Sequence, residues 1–166
     1  PMVRAAAADL ARGQVDEAVA QGARALLDPG GFPRDARGSA YLAPQCLVGV
    51  SHVMRVMTEE SFAPIVGIMP VEDDAEAVRL MNDSAFGLTA SVWTRDGSRA
   101  LRLARRLRAG QVFLNNYGAG GGVEVQNRRD APAERMLHHR TVGVARIPSC
   151  SCSASSAWPN GFPSRV

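Results

Sequence analysis

Pro64-Ile65-Val66-Gly67-Ile68-Met69-Pro70-Val71-Glu72-Asp73-Asp74 holds the two signals from which the fold is read. The run from Pro64 to Pro70 is apolar throughout, as expected of a strand covered on both faces in a parallel sheet. Glu72, Asp73, Asp74 and Glu76 then open a helix predicted over Asp74 to Asn82, where the positive end of the helix dipole favours acidic side chains. Ala77, Val78 and Met81 form its sheet-facing side. Downstream, a strand is expected from Leu88 to Thr94, and a helix from about Ser98 to Ala109. Asp96 or Ser98 caps that helix, Leu101, Ala104 and Leu107 form its apolar stripe, and Gly110 ends it. A further strand runs from Gln111 to Asn115. This β-α-β-α-β alternation predicts an α/β fold with a parallel sheet and right-handed crossovers.

Upstream, residues 3–27 place Ala8, Leu10, Ala11, Val15, Ala18, Val19 and Ala23 at helical spacings, predicting a helix and then a short strand. Residues 28–39 contain two prolines and three glycines and are expected to hold no regular element. A strand is expected from Gln45 to Val50, with Cys46 as a buried small hydrophobe, followed by an irregular segment through His52.

The composition narrows the function classes. With 166 residues and 46% hydrophobic content the chain can form one compact domain. All 19 basic side chains are arginines, so no lysine is present for a Schiff base or a phosphate loop. A net charge of +3 with 16 scattered acidic residues and 5% aromatic content argues against nucleic-acid binding by charge alone. Arg99, Arg102 and Arg106 share one helix face, which reads as a solvated face opposite the apolar stripe. Gly118-Ala119-Gly120-Gly121-Gly122 lacks the helix start and lysine of a phosphate loop and reads as a connection. Cys150 and Cys152 lack zinc spacing, and His52, His138 and His139 lack partners at ligand spacing, so no metal site is expected. No apolar run is long enough to cross a membrane, and a cytoplasmic location is expected.

Three further stretches, Met57-Thr58-Glu59-Glu60-Ser61-Phe62-Ala63-Pro64-Ile65-Val66, Asn82-Asp83-Ser84-Ala85-Phe86-Gly87-Leu88-Thr89-Ala90 and Gly110-Gln111-Val112-Phe113-Leu114-Asn115-Asn116, carry linked motifs. In order and spacing they resemble the Glu-x-Phe-Gly-Pro element, the Asn-x-x-x-x-Gly-Leu turn and the Gly-x-Val-x-x-Asn strand of the aldehyde dehydrogenase superfamily. The resemblance covers roughly residues 14–125. It implies part of an aldehyde dehydrogenase-type catalytic domain over residues 1–125, with a divergent, irregular C-terminal tail over 126–166. The family's Pro-Phe-Gly-Gly and Ser-Gly-x-Gly-Arg-Glu stretches are absent after Val125, as a shifted reading frame would produce.

What the resemblance implies for function follows residue by residue. Glu60 is expected to hydrogen-bond the hydroxyls of the nicotinamide ribose of NAD or NADP, and Phe62 to pack near the nicotinamide. A two-residue offset on an extended segment would send both side chains to one side. Ala63 stands where the family usually has Gly, which matters if the backbone there needs positive φ. Asn115, at the carboxyl end of a strand, borders the substrate pocket in the family, and it also suits a plain turn. The implied activity is oxidation of an aldehyde to a carboxylic acid. Neither the family's Phe-x-x-x-Gly-Gln-x-Cys nucleophile segment nor its Glu-Leu-Gly-Gly base segment occurs here, so no catalytic residue is assigned and the chain alone is expected to be inactive. The alternative is a noncatalytic interaction module that docks on a full-length relative. The oligomeric state is open between a homo-oligomer and such an association.

Overall fold

The computed structural model describes residues 1–116, 123–126 and 143–145. The first half comprises helix α1 (Ala5–Ala20), strand β1 (Arg24–Ala25), a 3-10 turn (Pro29–Gly31), strand β2 (Gln45–Val48), a short helix α2 (Arg55–Thr58) and strand β3 (Ile65–Ile68). The second half comprises helix α3 (Asp74–Asn82), strand β4 (Thr89–Trp93), helix α4 (Gly97–Ala104) and strands β5 (Gln111–Leu114), β6 (Val123–Gln126) and β7 (Gly143–Ala145).

The α/β class and the parallel pairings expected from the alternation hold. Between the halves, however, the strands divide into a three-stranded sheet ordered β1-β2-β3 and a four-stranded sheet ordered β6-β5-β4-β7. β2 and β3 are parallel, as are β4 and β5 and β4 and β7, whereas β1 and β6 run antiparallel to their neighbours. β7 and the last residue of β6 lie inside the segment expected to be an irregular tail; the rest of that segment, with His138, His139, Cys150 and Cys152, lies outside the described residues, as does the loop from Gly118 to Gly122.

Each half has its own core. In the second, Ala90 and Val92 of β4 and Val112 and Leu114 of β5 occupy one sheet face and meet Val78 of α3 and Ala100, Leu103 and Ala104 of α4. The parallel register pairs Ala90 with Val112 and Val92 with Leu114, which keeps these side chains together. α4 is shorter than expected, and its buried residues are Ala100, Leu103 and Ala104, with Leu107 buried just beyond its end and Leu101 turned outward. Spacings of three and four from Leu103 explain this, because Leu101 falls about 200° away on a helix of 3.6 residues per turn. Asp96 caps α4 by accepting from the Arg99 amide at 2.9 Å, and Asp73 caps α3 by accepting from the Glu76 amide at 2.8 Å. Arg99, expected on a solvated face, instead reaches across to both carboxylate oxygens of Asp74 and ties α4 to the start of α3.

In the first half the core is Ala18, Ala23, Leu47, Val50 and Met54, with Val15, Val56, Met57 and Ile65 packed against it. Gln45 and Leu47 of β2 share the covered face with Ile65 and Gly67 of β3, the register pairing Gln45 with Ile65 and Leu47 with Gly67. A Cβ on Gly67 would collide with Met57 Sδ and approach Val50 Cγ2 to 3.3 Å, so any larger residue there would displace the Met57 side chain of α2. The expectation that this strand is covered on both faces fails: Val66 is 53% and Ile68 45% exposed. β3 is the sheet edge, and one face only is packed within the first half's core. For the same reason Cys46, on the uncovered face of β2, is half-buried rather than buried.

Candidate functional site

The segment between α2 and β3 carries the residues expected to hold a nucleotide. Glu60 is half-buried, and Phe62 is 79% exposed. The segment is not simply extended, because Phe62 has φ +50°. Simple strand alternation therefore does not apply here. The left-handed residue is Phe62 and not Ala63, so the methyl group at the family's glycine position meets no positive φ. A bulky side chain rarely adopts this conformation without restraint from its surroundings. Ser61 and Phe62 line an open groove of about 540 Å³ with Pro1, Met2, Val3, Arg4 and Ala7. A second cleft under Met81, Phe86 and Leu107 holds about 20 Å³, room for about one water.

Upstream of Glu60, the chain is fastened by charge. Arg55 donates from Nε to Glu59 Oε1 and from Nη2 to Glu59 Oε2, both at 2.9 Å, and from Nη1 to Glu17 Oε2 of α1 at 3.1 Å. Gln14 of α1 donates from Nε2 to Glu59 Oε2 at 3.1 Å. The Arg55 guanidinium, and after it the Gln14 amide, hold the Glu59 carboxyl below the ordinary carboxylate range. Glu59 and chiefly its hydrogen bonds in turn push Arg55 upward. Downstream, the Gln45 amide donates to the Pro64 carbonyl at 2.9 Å, which leads into the β2–β3 ladder.

Asn115 stands in the other half, just past β5, with φ +52°, a conformation asparagine tolerates. Its Oδ1 accepts from the Thr94 amide at 2.8 Å and its Nδ2 donates to the Thr94 carbonyl at 2.9 Å. Both ends of its amide thus clamp the exits of β4 and β5, in keeping with a turn residue.

Two features escaped the sequence reading. His52, which has no partner at ligand spacing in the sequence, is paired across the chain: its Nε2 lies 3.1 Å from Asp83 Oδ2 and 3.1 Å from the Asp83 carbonyl oxygen. Thirty-one residues separate the two, and the contact joins the loop after β2 to the end of α3. Gln14 also gave no signal on an alanine-rich helix, although Arg55 and Glu59 stand at the i,i+4 spacing of a helix pair. Among the described residues no cluster of His, Cys, Asp and Glu could hold a metal ion, and no helix is long and apolar enough to cross a membrane.

Comparison with known proteins decides the family. The aldehyde dehydrogenase family model matches residues 1–126. The chain belongs to the aldehyde dehydrogenase family. The match extends the resemblance upstream through α1. It is 41% identical over 108 residues to the 5-carboxymethyl-2-hydroxymuconate semialdehyde dehydrogenase of Escherichia coli, covering 61% of this chain and 23% of that protein. It is 40% identical over 130 residues to the succinate semialdehyde dehydrogenase Sad of Escherichia coli K12, covering 75% of this chain and 28% of that protein. Among solved aldehyde dehydrogenase structures, the NADP-dependent glyceraldehyde-3-phosphate dehydrogenase of Bacillus halodurans complexed with NADP superposes with a TM-score of 0.65 at 32% identity, covering 76% of this chain and 26% of that one. An aldehyde dehydrogenase of Mycobacterium tuberculosis complexed with NAD+ superposes with a TM-score of 0.64 at 25% identity, covering 76% of this chain and 27% of that one. The chain thus spans about a quarter of the length of the relatives it matches.

Proposed function

We propose that these residues form the nicotinamide-ribose end of an NAD- or NADP-dependent aldehyde dehydrogenase, with residues 1–125 as a partial catalytic domain and the remainder as a divergent tail. The observation that carries the reading is the pairing of a half-buried carboxylate, Glu60, with a fully presented ring, Phe62, in the segment matched to the family. An ionised carboxylate offers only acceptors, which suits the two donors of a ribose diol. An exposed aromatic face suits a flat heterocycle. The residues present therefore fit the cofactor, whose chemistry when bound is to accept hydride from the aldehyde carbon. Glu60 would orient the ribose, and Phe62 would shield the ring from water. Asn115 would contribute to the pocket through the β4–β5 ends it clamps.

The 166 residues contain no Phe-x-x-x-Gly-Gln-x-Cys segment, and the described cysteine, Cys46, lies on a strand face. Without a placed thiolate no covalent adduct with the aldehyde forms. The purified chain is accordingly expected to reduce neither NAD nor NADP with short or aromatic aldehydes, read by reduced-nicotinamide absorbance; turnover above blank would overturn this part of the reading. Oxidised nicotinamide mononucleotide tests the other part. It should shift the Phe62 ring resonances in the native chain and not in Glu60→Gln; an unmoved Phe62 in the native chain sinks the ribose assignment.

A second reading, a noncatalytic module docking on a longer relative, draws on exposed Val66 and Ile68 of β3. It predicts co-purification with such a relative, and a chain that elutes alone in its presence counts against it.

A further inference from the structure

Gln14 sits on the packed face of α1, where the other fully buried residues are Ala8, Ala11 and Ala18. The residue is 1% exposed. Its Nε2 donates to Glu59, while its Oε1 is buried with no hydrogen-bond partner among the described residues. Turning the amide over would set Oε1 against the Glu59 carboxylate, so electrostatics select the orientation with the donor facing Glu59. A buried amide oxygen without a partner is destabilising, and a leucine of similar size would carry no such penalty. What glutamine adds at this position is therefore directional, the fixing of Glu59.

Three residues from two helices converge on that carboxylate: Gln14 of α1 directly, Arg55 of α2 through both oxygens, and Glu17 of α1 through Arg55. Glu59 immediately precedes Glu60. At the far end, the Gln45 amide holds the Pro64 carbonyl and β2 holds β3. Between these anchors lies Phe62, whose left-handed backbone persists only if both ends of the segment are held.

We propose that Gln14, acting with Arg55 through Glu59, is a positioning residue that keeps the Glu60-Ser61-Phe62 segment in its left-handed, outward-presenting conformation. Its functional meaning rests on the assignment of Glu60 and Phe62 to the nicotinamide ribose. The helix face trades stability for the placement of a neighbouring segment, as buried polar groups do elsewhere when they fix one arrangement.

Gln14→Leu in the full 166-residue chain separates this role from plain packing. The melting temperature should stay level or rise, because an unpartnered buried oxygen is removed. Amide hydrogen exchange at Glu59, Ala63 and Ile65 should rise about tenfold, while that at Val92 and Val112 stays level. Arg55→Lys, which keeps the charge but loses the two-pronged grip, should raise exchange at the same amides. Unchanged exchange at Ala63 in both variants overturns the proposal, and so does a fall in melting temperature with exchange rising alike in both halves. Nicotinamide mononucleotide provides the second readout: its effect on Phe62 should need about tenfold more ligand in Gln14→Leu than in the native chain. If the mononucleotide leaves native Phe62 unmoved while exchange in Gln14→Leu rises as expected, the ribose assignment falls and the positioning role stands.

Discussion

The two halves solve the same packing problem with different materials. Around β4 and β5 the core uses Val92, Val112, Leu114, Leu103 and Leu107 against two capped helices, and branched side chains interdigitate over one sheet face. Around β2 the main helix buries Ala8, Ala11 and Ala18 and a glutamine, with Val15 partly buried, and begins at Arg4 with no side-chain cap. Small side chains bring α1 close but bury little apolar area, so each contact stabilises less. The first half compensates with ion pairs: Arg12 to Asp35 at 2.7 Å and to Asp9 at 2.6 Å, and Arg55 to Glu59 at 2.9 Å and Glu17 at 3.1 Å. The half that bears Glu60 and Phe62 is thus organised for position, and the half that bears Asn115 for cohesion.

The sharpest way to break this comparison is to hollow each core separately. Leu47→Ala and Leu103→Ala should each cost about 2–5 kcal/mol by chemical denaturation. The informative result is where the loss appears. With separate cores, Leu47→Ala should raise amide exchange in β1 to β3 and leave β4 and β5 protected, whereas Leu103→Ala should do the converse. Equal loosening of both sheets by either variant would show a single cooperative core and dissolve the contrast.

Helix capping gives a smaller and opposite pair of effects. Asp96→Ala removes the acceptor for the Arg99 amide and should destabilise the second half by about 1 kcal/mol. Arg4 has the extended backbone of a cap, φ −159° and ψ 158°, but makes no side-chain cap bond. Arg4→Ser should therefore stabilise the chain by about 0.5–1 kcal/mol in thermal melts. If both substitutions destabilise, the first helix is limited by something other than its missing cap.

Acid produces the weakest expected effect. Asp74 is held below its ordinary pKa chiefly by Arg99, Asp9 chiefly by the Gly38 amide and then by Arg12, and Glu59 by Arg55 and Gln14. A carboxyl whose folded pKa lies below its unfolded value stabilises the fold fully above that unfolded value, and the contribution is lost as pH falls through the folded one. Stability should therefore hold near neutrality and decline below about pH 4, with more loss in the first half, which carries two of the three groups. Salt should reduce the effect, since these pairs reach solvent. A first half whose exchange protection is no more acid-sensitive than that of the second would undercut the claim that ion pairs carry it.

Much of the fold was legible because the elements of the second half are locally self-specifying. Asp73 and Asp96 announce helix starts and Asp74 to Asn82 is helical as expected, whereas α4 ends at Ala104, well short of Gly110. The stripe of α4 contains Leu103 and not Leu101, and since both are leucines only packing against β4 and β5 selects between them. The family motifs point to Glu60 and Phe62 but not to their backbone: the left-handed residue is Phe62, a position where side-chain chemistry gives no warning. Gln14 to Glu59 spans 45 residues and His52 to Asp83 spans 31, distances at which no local spacing rule operates.

By itself, the sequence determined the α/β class, the helix starts of the second half and the family, since caps, periodicities and ordered motifs act over a few residues. Tertiary structure alone decided the division into two sheets, the exposed edge at Val66 and Ile68, the left-handed Phe62 and the grip of Gln14 and Arg55 on Glu59. Each of these depends on which distant groups share a face, and that is set only when strands pair and helices dock, because hydrogen bonds and burial reward proximity in space irrespective of separation along the chain.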